Sequence, residues 1–323
     1  MEAASRFFRY NLEYGYKCVI RRREARKGEA KIVKGYFLAK TEDEVLALLK
    51  QHAGDARLVA GGTDLLLDLQ SGKVNAAYLV DITRVAALCE ISEAGGALRI
   101  GAAARHNELA ESALVREHAA ALAAASAAVG SYQIRNRSTV GGNVVNAQPA
   151  ADSAVALAAL DARATLLDAE GSRELPLLEL YAGVGKSVVD SGRTLLAYFT
   201  IRKREPGQGS AFVRLQQRKA LALPMLNVAA FLAVAENKVT EARIVMAPVG
   251  PGPVRAKQAE EFLVGKAPLA AHFNAAAKLA LEDAAPRDSI VRGSKEYRTG
   301  VLPSLVVKAL DGAYADSKNA QRR

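Results

Sequence analysis

The chain is poor in the residues that build most self-sufficient reaction centres. In 323 residues it has two cysteines, Cys18 and Cys89, four histidines and no tryptophan. Two thiols cannot supply a disulfide scaffold, a zinc ribbon or a four-thiolate iron–sulfur site. His52, His106, His118 and His272 stand far apart, without metal-ligand spacing,. Each reads as a solvated or packed side chain, and the thiols as one surface and one core cysteine. Long apolar runs are also missing. The most apolar stretch, Ala119 to Val129, is mostly alanine and falls well short of the roughly 18 residues that suggest a membrane span,. No apolar segment follows the charged N-terminus, so no secretory leader is read and cytoplasm is the default compartment.

What is present is a half-apolar chain, long enough for two or three domains, with a net charge of +10,. The charge is concentrated at the start. Met1 to Gly35 carries ten Lys or Arg against four Glu. Phe7, Phe8, Tyr10, Tyr14 and Tyr16 alternate there with Arg6, Arg9 and Lys17, ahead of Arg21-Arg22-Arg23. Aromatics beside cations suit single-stranded nucleic acid. They equally suit an arm that buries its rings against a partner subunit while its cations stay wet. The arm is the favoured reading. Salt-sensitive nucleic-acid binding by a basic module is the other.

From Tyr36 onward the pattern is regular. Tyr36 to Ala39 reads as a strand, and Thr41 with Glu44 as a capping box that opens a helix ending near Gly54,. Strands follow at Arg57–Ala60, Tyr78–Ile82 and Leu98–Ala102. His106 to Val129 reads as one Ala-rich helix stopped by Gly130, Ser131 to Asn146 as a loop, and Ala150 to Leu160 as a small-residue helix. Further strands are read at Ala164–Leu167, Glu174–Leu177 and Thr194–Ile201. Pro206, Gly207 and Gly209 mark the best internal boundary,. Beyond it, Ala211–Arg218, Asn227–Ala235 and Lys238–Met246 predict a three-strand meander. Gly250-Pro251-Gly252 reads as a strand-to-helix turn. Helices are expected at Val254–Val264, Phe273–Leu281 and Tyr297–Ala313. The expectation is an α+β protein: an arm over 1–35, α/β regions over 36–95 and 96–205, and a three-strand, three-helix domain over 206–323.

Two glycine pairs carry the chemistry. Leu58-Val59-Ala60-Gly61-Gly62-Thr63-Asp64-Leu65 is a strand ending in a double glycine, where missing Cβ atoms let backbone N–H groups converge on an anion,. Thr63 adds a hydroxyl donor. Asp64 would repel a phosphate, so it is expected to turn away and accept backbone amides. A plain β-turn is the competing reading. The second pair lies in Thr139-Val140-Gly141-Gly142-Asn143, followed by Asn146 and Asp152. Asn143 and Asn146 offer amides, and Asp152 a carboxylate for sugar or ribityl hydroxyls. Two such segments suit a ligand with a pyrophosphate and polyol arms. Neither fits the G-x-G-x-x-G or G-x-x-x-x-G-K-[ST] fingerprints, so a Rossmann dehydrogenase and a P-loop NTPase are poorly supported.

Leu58 to Leu65, together with Ile134-Arg135-Asn136-Arg137-Ser138-Thr139-Val140-Gly141-Gly142-Asn143, closely resembles the FAD-binding medium subunit of the molybdenum hydroxylases. Xanthine dehydrogenase, carbon monoxide dehydrogenase and 4-hydroxybenzoyl-CoA reductase belong to that family. The resemblance spans about Tyr36 to Tyr314 and rests on both motifs, in this order and about 80 residues apart. It implies a vanillyl-alcohol-oxidase-type FAD fold in two subdomains plus a C-terminal domain. It also implies that Ala60 to Leu65 wraps the FAD pyrophosphate, that Thr139 to Asn143 binds the other side of the dinucleotide, and that Asp152 holds a hydroxyl. Leu196 matches a residue beside the isoalloxazine, and Arg214 lies near where relatives place a lysine by the flavin. Asp152 as a plain helix cap and Arg214 as a surface cation remain the alternatives. Where some relatives carry an aromatic about ten positions before Thr139, this chain has Val129, leaving Tyr132 and Tyr198 as candidates to stack on the ring.

The resemblance further implies a molybdenum cofactor on a large partner subunit and two [2Fe–2S] clusters on a small one, in a dimer of heterotrimers, with FAD exchanging electrons with NAD or another carrier. The cysteine-rich insertion of the 4-hydroxybenzoyl-CoA reductase type cannot be supplied by two cysteines. A free-standing FAD oxidoreductase of the same fold is the runner-up.

Overall fold

The computed structural model describes residues 33–218 and 221–321. The basic aromatic arm as far as residue 32, with Cys18, lies outside the described residues. The first unit alternates short apolar strands with helices: β1 (Gly35–Leu38), α1 (Glu42–Gln51), β2 (Ala56–Val59), α2 (Leu65–Ser71), β3 (Tyr78–Asp81) and α3 (Ala86–Cys89). Strands separated by helical crossovers pair in parallel, and here the order is β1-β3-β2. The Thr41 hydroxyl caps α1 by accepting from the Glu44 amide at 3.2 Å. The Glu44 carboxylate reaches back to the Lys40 amide at 2.8 Å, one residue earlier than in the usual box,.

The second unit runs β4 (Ile91–Ala94), β5 (Ala97–Gly101), α4 (His106–Glu111), α5 (Ala113–His118), α6 (Ala120–Ala128), α7 (Tyr132–Arg135), α8 (Val140–Val145), α9 (Asp152–Ala159), β6 (Arg163–Asp168), β7 (Gly171–Pro176), a 3₁₀ turn at Leu177–Leu180, β8 (Tyr181–Gly183), β9 (Lys186–Ser187) and β10 (Leu195–Arg202). Its five-stranded antiparallel sheet has the order β4-β5-β10-β6-β7. The division proposed at 95/96 falls in the Gly95-Gly96 turn of the β4–β5 hairpin, so this sheet claims Ile91–Ala94.

Two expectations are corrected here. The single helix over His106–Val129 is three helices, because the Ser112 hydroxyl accepts from the Val115 amide and starts a new one, and Ala119 leaves helical geometry at φ −144°,. The Ser131–Asn146 loop is instead two short helices, α7 and α8, each capped at its N-terminus by a hydroxyl, from Ser131 and Thr139.

The third unit comprises β11 (Gln208–Gln216), β12 (Pro224–Ala235), β13 (Lys238–Ala247), β14 (Val254–Arg255), α10 (Lys257–Leu263), α11 (Ala270–Leu279) and α12 (Lys295–Gln321). The expected three-strand meander has a fourth strand. The two-residue β14 pairs with β13, so Gly250-Pro251-Gly252 leads into a strand before the helix. Helix α9 holds the molecule together. Every one of its residues is buried, as befits a helix that is apolar all round after its opening Asp152-Ser153, and it packs against α6, α8, β12 and β13. Its core is continuous with Ala229, Phe231 and Val245 of the third unit. No helix among the described residues is long and apolar enough to cross a membrane.

Candidate functional site

The first glycine pair sits where β2 ends. Gly62 has φ +70°, the left-handed region that glycine enters without strain,. The amides of Gly61, Gly62 and Thr63 make no hydrogen bond among the described residues. They form a donor cradle of the kind that binds anionic oxygens. Asp64 departs from expectation. Its carboxylate accepts no backbone amide and takes only the Thr63 hydroxyl, at 3.3 Å, while staying exposed beside α2.

The second pair works differently. Gly141 and Gly142 lie in the first turn of α8, and their amides are already used: Gly141 donates to the Ala102 carbonyl at 2.8 Å and Gly142 to the Thr139 hydroxyl at 3.2 Å. A Cβ on Gly141 would stand 2.6 Å from both the Cβ and the carbonyl oxygen of Ala102. Glycine is required here for close packing on Ala102, just after β5, not to form an anion nest. A Cβ on Gly61 would lie 2.1 Å from the Arg137 carbonyl oxygen. The two motifs, far apart in sequence, thus touch backbone to backbone.

Together they wall a cleft of about 880 Å³ that runs between the units. Leu58, Val59, Ala60, Gly61, Gly62, Thr63, Asp64 and Leu65 line it, as do Thr139, Gly141, Gly142, Asn143, Asp152, Leu196 and Arg214. Val140, expected with them, is fully buried in the core instead. No aromatic side chain lines the cleft among the described residues. Tyr132 stands largely exposed outside it, and the ring of Tyr198 is covered by the Arg99 guanidinium at 3.7 Å. Neither stacking candidate is in place. Aliphatic side chains of Val129, Leu196, Leu221 and Leu223 stand in the cleft wall. Leu221 and Leu223 were missed from the sequence, which offers only two leucines in an irregular segment. Arg292 was missed too, coming from the loop before α12.

Arg214 and Asp152 are neither a surface cation and a helix cap nor free cleft groups. Both side chains are 7% exposed. Arg214, on β11, donates to Asp152 Oδ2 at 2.8 Å and to the carbonyls of Ala128 and Ala222. It therefore ties the end of α6, the start of α9 and the 221–223 segment to one guanidinium. Asn227, on β12, donates to Asp152 Oδ1 at 2.8 Å. Ala151, not Asp152, occupies the N-cap of α9. Burial pushes the Asp152 carboxyl up to about 6, while Arg214 and the Asn227 hydrogen bond pull it back,.

The cleft's chemistry fits FAD: unpartnered amides for a diphosphate, apolar walls for a ring system, and polar side chains between them. A mixed α+β scaffold with this cradle defines a dinucleotide-binding protein. Residues 29–201 match the family described as FAD binding domain in molybdopterin dehydrogenase, and residues 211–313 match the CO dehydrogenase flavoprotein C-terminal domain. The chain belongs to this family of FAD-binding flavoproteins. It is 32% identical over 282 residues to the xanthine dehydrogenase FAD-binding subunit of Escherichia coli O157:H7, covering 87% of this chain and 96% of that one. It is 29% identical over 280 residues to the carbon monoxide dehydrogenase medium chain of Hydrogenophaga pseudoflava, covering 87% and 96%. Among solved structures, carbon monoxide dehydrogenase from the same organism superposes with a TM-score of 0.81 at 29% identity, covering 87% of this chain and 97% of that one. Quinoline 2-oxidoreductase from Pseudomonas putida 86 gives 0.79 at 27% identity, covering 89% and 98%.

Proposed function

We propose that this chain carries FAD in the cleft as the flavoprotein subunit of a molybdenum hydroxylase. It would relay electrons between [2Fe–2S] clusters of a small partner subunit and NAD or another external carrier. Substrate chemistry would belong to the molybdenum cofactor of a large partner subunit, in a cytoplasmic dimer of heterotrimers. The observation that carries this reading is the row of unpartnered amides at Gly61, Gly62 and Thr63, open to a cleft that the second glycine motif also lines. FAD, when bound, supplies the capacity to take electrons singly and pass them on in pairs. The protein's part is binding and orientation. Gly61 to Thr63 hold the diphosphate, Asn143 reaches the dinucleotide from α8, and Val129, Leu196, Leu221 and Leu223 exclude water around the ring. Arg214 and Asp152 hold the walls in register.

The relatives support the subunit role over a free-standing oxidoreductase, since those named above are an FAD-binding subunit and a medium chain. The test is purification from the native source. A flavin spectrum, with iron–sulfur absorbance and molybdenum on co-purifying larger and smaller chains, is the expected result. A monomer that turns over substrate unaided would contradict it. Gly62→Val should remove FAD from a chain that still folds, because a β-branched residue is strained at φ +70° and its Cβ presses on Leu66, so the backbone that presents the cradle amides must shift,.

A further inference from the structure

His106 is isolated in sequence, yet the fold buries it completely behind the second glycine pair, at the start of α4. Its Nδ1 lies 2.9 Å from Ser138 Oγ and 3.1 Å from the Ser138 carbonyl oxygen. Its Nε2 lies 3.3 Å from Ser153 Oγ, on α9, and Ser153 Oγ lies 2.6 Å from Asn143 Oδ1, on α8. Asn143 in turn lines the cleft. Burial holds the imidazole down at about 4, so at neutral pH the ring has one donor and one acceptor nitrogen,.

A hydroxyl has one proton to give, and two arrangements result. With the ring proton on Nε2, donation runs one way. The Ser138 hydroxyl donates to Nδ1, Nε2–H donates to Ser153 Oγ, the Ser153 hydroxyl donates to Asn143 Oδ1, and the Asn143 NH2 is left for the cleft. With the proton on Nδ1, it donates to the Ser138 carbonyl and Ser153 must donate to Nε2. The Asn143 amide then has to turn over, offering the cleft an oxygen. The 2.6 Å contact has the length of an O–H···O bond and is short for N–H···O,. A phosphate-bearing ligand also needs donors. Both points select the first arrangement.

We propose that His106 and Ser153 are positioning residues that lock Asn143 with its amide NH2 facing the cleft, making Asn143 a hydrogen-bond donor to an oxygen of FAD. The proposal rests on the cleft being the FAD site.

The test is an FAD titration of the flavin-free full chain, followed by quenching of flavin fluorescence, in Asn143→Ala, Ser153→Ala and the double variant. Each single change should weaken binding roughly tenfold, the worth of about one hydrogen bond. The double variant should bind no more weakly than Asn143→Ala, because Ser153 acts through Asn143. Asn143→Asp should bind more weakly than Asn143→Ala, since a carboxylate accepts but cannot donate. Unchanged affinity in folded Ser153→Ala, or a full additional loss in the double variant, overturns the proposal. The wild-type chain supplies a test free of any folding defect: imidazole 15N shifts should report a neutral His106 protonated on Nε2, and an Nδ1–H ring overturns it. Failure of the wild-type chain to bind FAD at all would instead overturn the cleft assignment.

Discussion

Removing the guanidinium of Arg214 would leave the Asp152 carboxylate buried with only Asn227 beside it. A buried charge that loses its partner typically costs about 3–5 kcal/mol, whereas replacing both members of a pair is often near neutral. Arg214→Met should therefore destabilise the chain by about that amount in urea unfolding, and Asp152→Asn added to it should recover most of the loss. A single-variant cost below ~1 kcal/mol would show that the pair is not desolvated. Asp152 also leaves a mark on pH dependence. Its folded value of about 6 lies above the ordinary 3.8, because burial disfavours the charged form. The folded state thus holds this proton more tightly than the unfolded state does. As pH falls from about 6 towards 3.8, the wild type should gain stability relative to Asp152→Asn by about 3 kcal/mol. The gap should be flat above pH 7. Unfolding curves at pH 4, 5 and 6.5 for both proteins measure it, and a gap independent of pH would contradict the assigned burial.

At the scale of elements, the short helix α8 follows directly on the Arg137–Ser138 backbone that meets Gly61, and it sets its own first turn tightly against Ala102. A methyl on Gly141 has nowhere to go against Ala102, so Gly141→Ala should lower stability by about 1–3 kcal/mol through overpacking,. Thr139→Ala should cost about 1 kcal/mol through loss of the N-cap, with Thr139→Ser close to wild type,. Thermal unfolding measures both, and a neutral Gly141→Ala would mean that Ala102 and α8 are not in close contact.

The same elements show what can be read from sequence. The Thr41 cap and the glycine pair after β2 depend on neighbours within a few residues, so local spacing reveals them. Ser112 is equally local, but its cap is hidden inside an Ala-rich run whose composition argues for one long helix. The second glycine pair was visible as a motif, yet its use was not. Only the fold brings Ala102 against Gly141 and so decides packing over anion binding. Asn143 could be picked out by its place in the motif. Arg214, by contrast, owes its clamp to Ala128, Asp152 and Ala222, contacts that no single stretch of sequence contains. His106 is the extreme case, since its partners Ser138 and Ser153 arrive from the segment before α8 and from α9.

For the molecule as a whole, the second FAD-binding unit and the C-terminal domain share a hydrophobic cluster. Ala229, Phe231 and Val245 pack in the same cluster as α9, and Arg243 Nε donates to the Ala159 carbonyl at 2.7 Å. Calorimetry should accordingly show one cooperative transition, with calorimetric and van't Hoff enthalpies in agreement. Two separated transitions would mean that the units fold independently.

The central claim is that backbone amides at the first glycine pair grip the diphosphate of FAD. Its most direct measurement is the 1H–15N resonances of Gly61, Gly62 and Thr63 in the full chain during titration with FAD and, separately, with riboflavin, which lacks the diphosphate. The account predicts that all three amide protons move downfield with FAD and stay near their free positions with riboflavin. Resonances that remain fixed while the flavin fluorescence of FAD is quenched by binding would contradict it.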